Sequence, residues 1–488
     1  MNLVKKAQSS IIWNTLFNIF KDIVNFCVML ILVRLLSPDD YGQFTLVTNI
    51  IGVIAAFSFQ GLVSHAIQVR REDEVQWQIY FTAGRAIQFL LFVITNIIAL
   101  ALATFEEYVA IAPLIHLSSV LFLMEWPTEI SIKMLERELD WKRRRLLHGL
   151  SLLVTSIIAI IMGLSGFGVY ALIVPGLLIN IPFIYDLFLR RKWRPTWEWN
   201  IEKIRPAFQF GLNRVGSGLI IKGRPLLETT AIVHILGFAS AGFFGRVIGL
   251  GNLFTRRIAI QIMYAVYPVL TKIDKNTDKY RKMSGLVFRA VAWGSIPIGV
   301  IFSILAMPIV NTIYGDKWLS IVPLVPFAMI ISVITALSHV LYTLLLGQDN
   351  QKKCLLLDII TLIFHIPILL FSISDGLYVY LQYLLLLEIL IFVIATFWLS
   401  NTEGVRYKSI LDSIVYAVLA SFISASAFGG LFYVLGVNLD QFLTAFIFGI
   451  MFFIGYILSI RLFFLRSLNE LLIVLPGRSK IRRVLYIK

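Results

Sequence analysis

The chain has few residues of the kinds that build disulfide scaffolds, metal centres or nucleotide sites. It contains only two cysteines, Cys27 and Cys354, in 488 residues, so neither a disulfide framework nor a cysteine metal site is predicted. Its six histidines are scattered without metal-ligand spacing. No glycine-rich loop is followed by Lys-Ser or Lys-Thr, which excludes ATP hydrolysis at a P-loop. The sequence therefore predicts no cofactor, no metal and no catalytic residues.

Charged residues are also scarce, at 15% of the chain, whereas 58% of the residues are hydrophobic and the mean hydropathy is +0.84. This composition is typical of a helical membrane protein that crosses the bilayer many times. The sequence therefore predicts an all-α polytopic membrane protein with about fourteen transmembrane helices. The candidate spans lie near residues 11–33, 43–66, 77–103, 109–132, 146–164, 167–189, 207–232, 240–270, 284–306, 319–346, 354–374, 376–399, 409–433 and 441–464.

The charges outside these spans are distributed unequally between the two sides of the membrane. If the spans alternate, most loop lysines and arginines fall on the side of the N-terminus, including Arg70–Arg71 and the basic tail after residue 472. The other side receives only Arg34 and Lys317. The positive-inside rule then places both termini in the cytoplasm. The net charge of +15 is thus a topology signal, and no nucleic acid partner is predicted.

An internal repeat relates two stretches of the chain that lie 200 residues apart. Residues 33–44 read VRLLSPDDYGQF and residues 233–244 read VHILGFASAGFF, with Val, Leu, Gly and Phe in register. Both stretches follow a charged span on the external side. The repeat predicts two six-helix lobes of parallel topology, a construction common among transporters. The predicted lobes are residues 1–206 and 207–400, followed by two additional helices and a basic cytoplasmic tail at 401–488.

The first of these stretches carries a motif, R-x-L-x-P-x-x-Y-G-x-F, that resembles the Wzx-type polysaccharide flippases of the MOP exporter superfamily. Its residues are Arg34, Leu36, Pro38, Tyr41, Gly42 and Phe44. Leu236-Gly237, residues 241–244 and Tyr267-Pro268 look like its counterpart in the second half, and Tyr314-Gly315-Asp316-Lys317-Trp318 is similar to the family's Y-G-x-x-W element. The resemblance covers most of residues 1–400. One departure is Glu228, where many relatives have an aspartate.

This resemblance implies two lobes around a central cavity that opens alternately to either side of the bacterial cytoplasmic (inner) membrane. It also implies a substrate consisting of an oligosaccharide on a polyprenyl pyrophosphate, destined for O-antigen, capsule or exopolysaccharide. Membrane lipids are expected partners, and the polymerase and chain-length components of the same pathway are candidate partners. A monomer is expected, because each half supplies the partner of the other.

Basic residues within the spans are more numerous than acidic ones. A charge at mid-membrane costs several kcal/mol, so such residues face a bundle interior or a water-filled cavity. Guanidinium and ammonium groups suit the oxygens of a pyrophosphate. The residues expected to line a cationic substrate cavity are Lys21, Arg85, Lys222, Arg224, Arg246 and Arg257. For each one alone, a structural ion pair or a side chain extended towards the membrane surface is a comparable interpretation.

Acidic residues within the spans are candidates for ion or proton coupling, although such acids often only neutralise a neighbouring lysine. The candidates are Asp22, Glu125, Glu129 and Glu228.

Two other functions remain open from the sequence. A MATE-like multidrug antiporter is the first, but that class typically exports cations, which a cationic cavity disfavours. A membrane glycosyltransferase or polymerase is the second, but the short external loops offer no convincing acid/base pair.

Overall fold

The computed structural model describes residues 3–472 apart from 59, 68, 70–74, 276, 349, 403–404 and 440. The side chains of residues 3–16, 19, 60–61, 210, 212–214, 217 and 220 also lie outside the description. Arg70–Arg71 and the basic tail, which entered the topology prediction, are therefore outside the described residues. Within the described ranges the chain forms helices and contains no β-strand.

Eighteen α-helices follow one another along the described part of the chain. They are α1 (Leu3–Leu35), α2 (Pro38–Ile54), α3 (Gln60–Val63), α4 (Trp77–Leu102), α5 (Ala112–Arg137), α6 (Trp141–Leu164), α7 (Tyr170–Leu178), α8 (Ile181–Tyr185), α9 (Ile201–Phe254), α10 (Arg256–Leu270), α11 (Asp278–Ile304), α12 (Ala306–Ile313), α13 (Val325–Gly347), α14 (Gln351–Ser372), α15 (Leu377–Asn401), α16 (Tyr407–Val434), α17 (Phe442–Phe463) and α18 (Leu465–Leu472).

Eleven helical stretches of the described chain are long and apolar enough to cross a membrane. One of them, Ile221–Leu270, is 50 residues long and contains a break at Gly237, so it corresponds to two of the predicted spans. Helices α1, with 33 residues, and α2, with 17, correspond to the first two predicted spans. The all-α polytopic fold predicted from the sequence is confirmed.

The surface of α6 shows why this fold needs a lipid environment. Leu150, Val154, Ile157, Ile161 and Leu164 follow one another at intervals of three or four residues, and each is between 48% and 68% exposed. This spacing places them on one side of the helix. A continuous apolar stripe of this kind is rare on soluble monomers and matches contact with acyl chains.

The helices group into two compact units, residues Met1–Gly242 and Phe243–Lys488. This grouping reflects which residues pack together and does not test the predicted lobes. The lobe boundaries at 206 and 400 therefore stay predictions. In the first unit, α4 packs on α5 and α1 packs on α6. Phe81 of α4 lies at the centre of an aromatic cluster and makes edge contacts with the rings of Trp126, Phe188 and Trp193.

The second unit is built around α11, which packs against α13 and α16. Helix α17 is linked to it because the Tyr456 hydroxyl donates a hydrogen bond to the Trp293 carbonyl at 3.0 Å. The Tyr314–Trp318 element is also packed within this unit. Trp318 is fully buried and its ring contacts those of Tyr314 and Phe243.

The two repeated stretches break the helix at equivalent residues. Ser37, in extended conformation, separates α1 from α2 and caps α2 together with Asp40. Gly237, 200 residues later, is the one position with non-helical backbone inside α9, with a φ of +83° that favours glycine. The internal repeat predicted from the sequence therefore has a counterpart in the backbone.

The repeated stretches also contact each other directly within the first unit. A Cβ added at Gly42 would lie 1.9 Å from the carbonyl oxygen of Phe238, and one added at Gly242 would lie 2.0 Å from that of Pro38. The two contacts are reciprocal, because 238 and 242 are the repeat equivalents of 38 and 42. At this crossing only glycine lets the two backbones touch.

Candidate functional site

Helix α2 and the first part of α9 run antiparallel from this glycine crossing onwards. The Asn49 side chain donates hydrogen bonds to the Thr229 hydroxyl at 2.8 Å and to the Pro225 carbonyl at 3.2 Å. Further along, Gly52 faces the aliphatic stem of Lys222, whose Cδ would lie 3.8 Å from an added Cβ. The stem of Lys222 therefore lies beside α2.

Lys222 lies on an exposed part of α9 that stays helical through Gly223, Arg224 and Pro225. Gly223 and Pro225 therefore do not open the helix here. Pro225 has no backbone N–H to donate, and its carbonyl accepts a hydrogen bond from the Asn49 side chain. Arg224 and Glu228 are half-buried and make contacts within the protein.

Lys21 and Asp22 lie on α1 where it packs against α6. One turn earlier, the Phe17 ring packs against that of His148 with ring centres 5.0 Å apart and planes tilted by 39°, and the Arg145 guanidinium lies 4.9 Å from the centre of the Phe17 ring. Lys21 is half-buried, and among the described residues no carboxylate forms an ion pair with it. Asp22 is also half-buried and makes a contact within the protein.

Arg85 is exposed on α4, where its guanidinium lies 5.1 Å from the ring centre of Trp197. Trp197 belongs to the segment 191–200, which runs alongside the start of α4. Gln78 fixes this segment by accepting a hydrogen bond from the Thr196 amide at 2.7 Å and donating one to the Arg194 carbonyl at 3.0 Å. The structure therefore assigns Arg85 a cation–π partner at this edge of the unit.

The acidic candidates Glu125 and Glu129 lie one turn apart on α5. Glu125 is 8% exposed and accepts a hydrogen bond of 2.6 Å from Gln88 of α4, a residue that is fully buried.

Glu129 is within electrostatic reach of Glu125, Lys133 and Glu136. Ion pairs of 2.8 Å then join Glu136 to Lys133 and to Arg144 of α6. Glu136, Glu129 and Glu125 thus follow one another along α5, from near its end at Arg137 into the buried part of the unit.

Arg246 and Arg257 belong to the second unit. Arg246 is half-buried within electrostatic reach of Tyr314, and both arginines make contacts within the protein. The sequence places them 11 residues apart, which on a continuous helix gives one face. The helix is interrupted at Thr255, between α9 and α10, so spacing alone does not fix that shared face.

The structure also reveals polar residues that sequence reasoning did not select. Asp186, fully buried, pairs with Arg143 and with Arg191, and Arg191 in turn donates to both carboxylate oxygens of Glu138 at 2.6 and 2.8 Å. These bonds hold the pKa of Glu138 below its ordinary value. Gln88, fully buried on α4 beside Glu125, is the second such residue. The sequence signal for Asp186 and for Gln88 was a polar residue within an apolar stretch.

Within the described part of the chain, no group of three or more His, Cys, Asp and Glu side chains is placed to hold a metal ion. The side chain of Arg214, another basic residue within a span, is outside the description.

Two curated proteins are similar to this chain. An uncharacterized membrane protein in the cps region of Klebsiella pneumoniae is 21% identical over 76% of this chain and 77% of its own length. The succinoglycan biosynthesis transport protein ExoT of Rhizobium meliloti is 19% identical over 64% of each chain.

Two solved structures share the fold. The lipid II flippase MurJ, in an inward closed conformation, superposes with a TM-score of 0.70 at 13% identity and covers 94% of this chain and 100% of its own. An inward-facing MATE family multidrug transporter of the MOP superfamily gives a TM-score of 0.56 at 15% identity, over 78% of this chain and 95% of its own.

The sequence model of the family described as "Polysaccharide biosynthesis protein" matches residues 31–323. This match covers more than half of the chain and includes both repeated stretches and the Y-G-x-x-W element. The resemblance to polysaccharide biosynthesis proteins is confirmed, and the chain belongs to the polysaccharide biosynthesis protein family.

Proposed function

We propose that this protein flips polyprenyl-pyrophosphate-linked oligosaccharide units across the bacterial cytoplasmic membrane for the synthesis of a surface polysaccharide. Its family and its similarity to a succinoglycan transport protein and to a cps-region membrane protein support this assignment. Flipping makes and breaks no covalent bond, so the protein acts as a transporter and not as an enzyme. Both termini lie in the cytoplasm in this proposal, and the protein works as a monomer.

The observation that carries the proposal is the pair Lys21 and Lys222. Lys21 lies on α1, which corresponds to the first predicted span, and Lys222 lies within the apolar stretch Ile221–Leu270; among the described residues neither forms an ion pair with a carboxylate. An ammonium group at membrane depth is costly without a counter-charge. A pyrophosphate supplies two or more negative charges and suits ammonium and guanidinium donors. The substrate thus provides the missing anion.

The other basic candidates extend the same cationic cavity in this proposal. In this proposal Arg224, Arg85, Arg246 and Arg257 contact the pyrophosphate or the sugars at other stages of alternating access. Arginine binds phosphate oxygens in a bidentate manner and gives up its hydration readily. The polyprenyl tail remains among the surrounding acyl chains, and the pathway's polymerase and chain-length components receive the flipped unit.

The direct test is lipid extraction from cells that lack this gene while the glycan pathway stays active. We expect lipid-linked oligosaccharide units to accumulate facing the cytoplasm, because the step that exposes them to the outer leaflet is missing. The measurement is mass spectrometry of the extracted units together with their accessibility to an external glycosidase. Units that reach the outer leaflet normally would contradict the proposal.

A MATE-like antiporter is the second candidate, since the fold of a MATE transporter covers most of this chain. Lys21 and Lys222, for which the described residues provide no carboxylate partner, argue against a cationic cargo, because like charges repel in a medium of low dielectric constant. In the gene deletion, altered drug sensitivity with normal glycan export would favour this function. Units that reach the outer leaflet but stay unpolymerised would favour a polymerase.

We further propose that Glu125 couples transport to protons, with Glu129 continuing the path along α5. Gln88 suits this role because an amide can donate to an ionised carboxylate or, turned over, accept from a protonated one. The hydrogen bond between Gln88 and Glu125 can therefore persist in both protonation states. Asp22 and Glu228 are further candidates on α1 and α9.

Replacement Glu125→Gln tests this coupling. We expect the variant to bind substrate but to lose proton movement, because an amide cannot release a proton. The measurement uses the variant in liposomes that enclose a pH-sensitive dye, with lipid-linked units extracted from the deletion cells as substrate. Glu106→Gln, which removes an exposed charge ahead of α5, is the matched control. Unchanged proton flux in Glu125→Gln would exclude this residue as the coupling site.

A further inference from the structure

The second unit contains a charged pocket at the end of the bundle where α11 and α16 begin. Its volume is about 360 Å³. Four basic and two acidic side chains line it: Arg281, Lys282, Arg289, Arg406, Asp278 and Glu470. None of these residues belongs to the proposed substrate cavity or to the coupling acids.

Three helices shape this pocket. Asp278, Lys282, Leu286 and Arg289 recur at intervals of three or four residues, so they share one face of α11. Gly285 on the same helix allows α16 to approach, since an added Cβ would lie 2.6 Å from the Ser409 hydroxyl. Helix α18 supplies Glu470. From Asp278 to Arg289 the pocket extends about 16 Å along a membrane-spanning helix, at 1.5 Å per residue.

Basic side chains outnumber acidic ones in the lining of the pocket. Glu470 pairs with Arg289 at 2.9 Å, and Asp278 is shared between Arg406 at 3.3 Å and Arg281 at 3.6 Å. Among the described residues, Lys282 pairs with no carboxylate. Four cations against two carboxylates give a net charge of two positive units. An anion with two negative charges would neutralise this pocket.

The guanidinium of Arg289 also has a hydrogen-bond donor for which the described residues provide no acceptor. It is only 7% exposed, and its Nη1 donates to Glu470 and to the Ser467 carbonyl. Its Nε is buried and has no hydrogen-bond partner in the described part of the chain. A buried guanidinium nitrogen without a partner carries a free-energy penalty, which an acceptor oxygen of a ligand would relieve.

The start of α16 adds a further attraction for an anion. Its N-cap residue, Arg406, provides no side-chain hydrogen bond to the first turn, and Ser409 of that turn lines the pocket. The N-terminus of a helix carries a partial positive charge and backbone N–H groups suited to phosphate oxygens. The cationic side chains and this helix end therefore favour the same kind of ligand.

We propose that this pocket binds the phosphate groups of an anionic phospholipid, with cardiolipin or phosphatidylglycerol as the source. The pocket occupies the first turns of membrane-spanning α11, where headgroups lie, and Leu286 contributes an apolar wall beside the charges. Basic pockets between transmembrane helices are known to hold such headgroups. This assignment does not depend on the proposed substrate or on the pyrophosphate cavity.

The test compares two double variants of the full-length protein in detergent. Lys282→Gln with Arg406→Gln removes two charges from the pocket and leaves the buried Arg289–Glu470 pair intact. Lys279→Gln with Lys408→Gln removes two exposed charges near the same helix starts but outside the pocket. Binding of cardiolipin, phosphatidylglycerol and neutral phosphatidylcholine is measured by native mass spectrometry. Inorganic phosphate is titrated separately by thermal unfolding.

We expect the pocket variant to bind cardiolipin about tenfold more weakly than the unaltered protein, and the control variant to bind normally. Phosphatidylcholine should bind all three equally. Equal cardiolipin binding by the two double variants would overturn the proposal. If inorganic phosphate alone stabilises the protein as strongly and with the same dependence on the variants, a soluble phosphate and not a lipid is the ligand.

Discussion

Replacing both Lys21 and Lys222 by glutamine is expected to abolish glycan export while leaving the protein folded in the membrane. Each ammonium group is expected to make a charge-assisted contact with the pyrophosphate, and such contacts contribute about 1.5–3 kcal/mol each. Loss of both should weaken substrate binding about a hundredfold or more. The measurement is the amount of lipid-linked units that accumulate when the variant is expressed in cells lacking the gene.

The stability of this variant should not fall with its transport. Among the described residues, Lys21 and Lys222 have no carboxylate partner, so their replacement breaks no ion pair there. We therefore expect an unchanged unfolding temperature in detergent. A matched control, Lys203→Gln with Lys272→Gln, removes two exposed charges outside the spans and should transport normally. Normal export by the Lys21 and Lys222 variant would refute the cationic-cavity proposal.

Alanine at Gly42 or at Gly242 is expected to reduce the amount of folded protein severely. The obstacle for either new methyl group is a backbone carbonyl, Phe238 for Gly42 and Pro38 for Gly242, so no side chain can move aside. Both helices must separate, and overpacking of this kind costs about 1–3 kcal/mol or more at each site. The measurement is the unfolding temperature and the yield of monodisperse protein in detergent.

The chain provides controls on the same two helices. Gly52 of α2 would place its new methyl group 3.8 Å from the Lys222 stem, an ordinary contact, and Gly223 of α9 faces open space. Alanine is a better helix former than glycine by about 1 kcal/mol, so Gly52→Ala and Gly223→Ala should be neutral or stabilising. If Gly42→Ala is as stable as these controls, the backbone contact is not as close as described.

The sequence was sufficient to predict the membrane fold, because each span is a long apolar run that only a helix can satisfy in lipid. The repeat was also visible, since Gly42 and Gly242 must stay glycine for steric reasons. The partners of individual charges were not predictable. Arg85 contacts Trp197 and Arg289 contacts Glu470, both more than 100 residues away along the chain. Such pairings depend on tertiary packing, which spacing along one helix does not encode.

Local helix geometry was predicted only in part. Helix α9 stays continuous through Gly223 and Pro225, two residues that commonly bend helices, whereas the chain is interrupted at Thr255, which is neither glycine nor proline. Glu125 was selected as a buried acid, but its partner Gln88 lies on a different helix. Which acid and which cation act in transport stays a prediction until the variants are measured.

The reciprocal glycine contact bears on how this protein arose. Residue 42 touches residue 238 and residue 242 touches residue 38, which is the pattern that a two-fold axis imposes on identical chains. A single ancestral half could make this contact with a second copy of itself, before any gene fusion. In such a homodimer one mutation would alter both sides of the contact at once. In the single chain the two sides are separate residues that can differ, as Pro38 and Phe238 do.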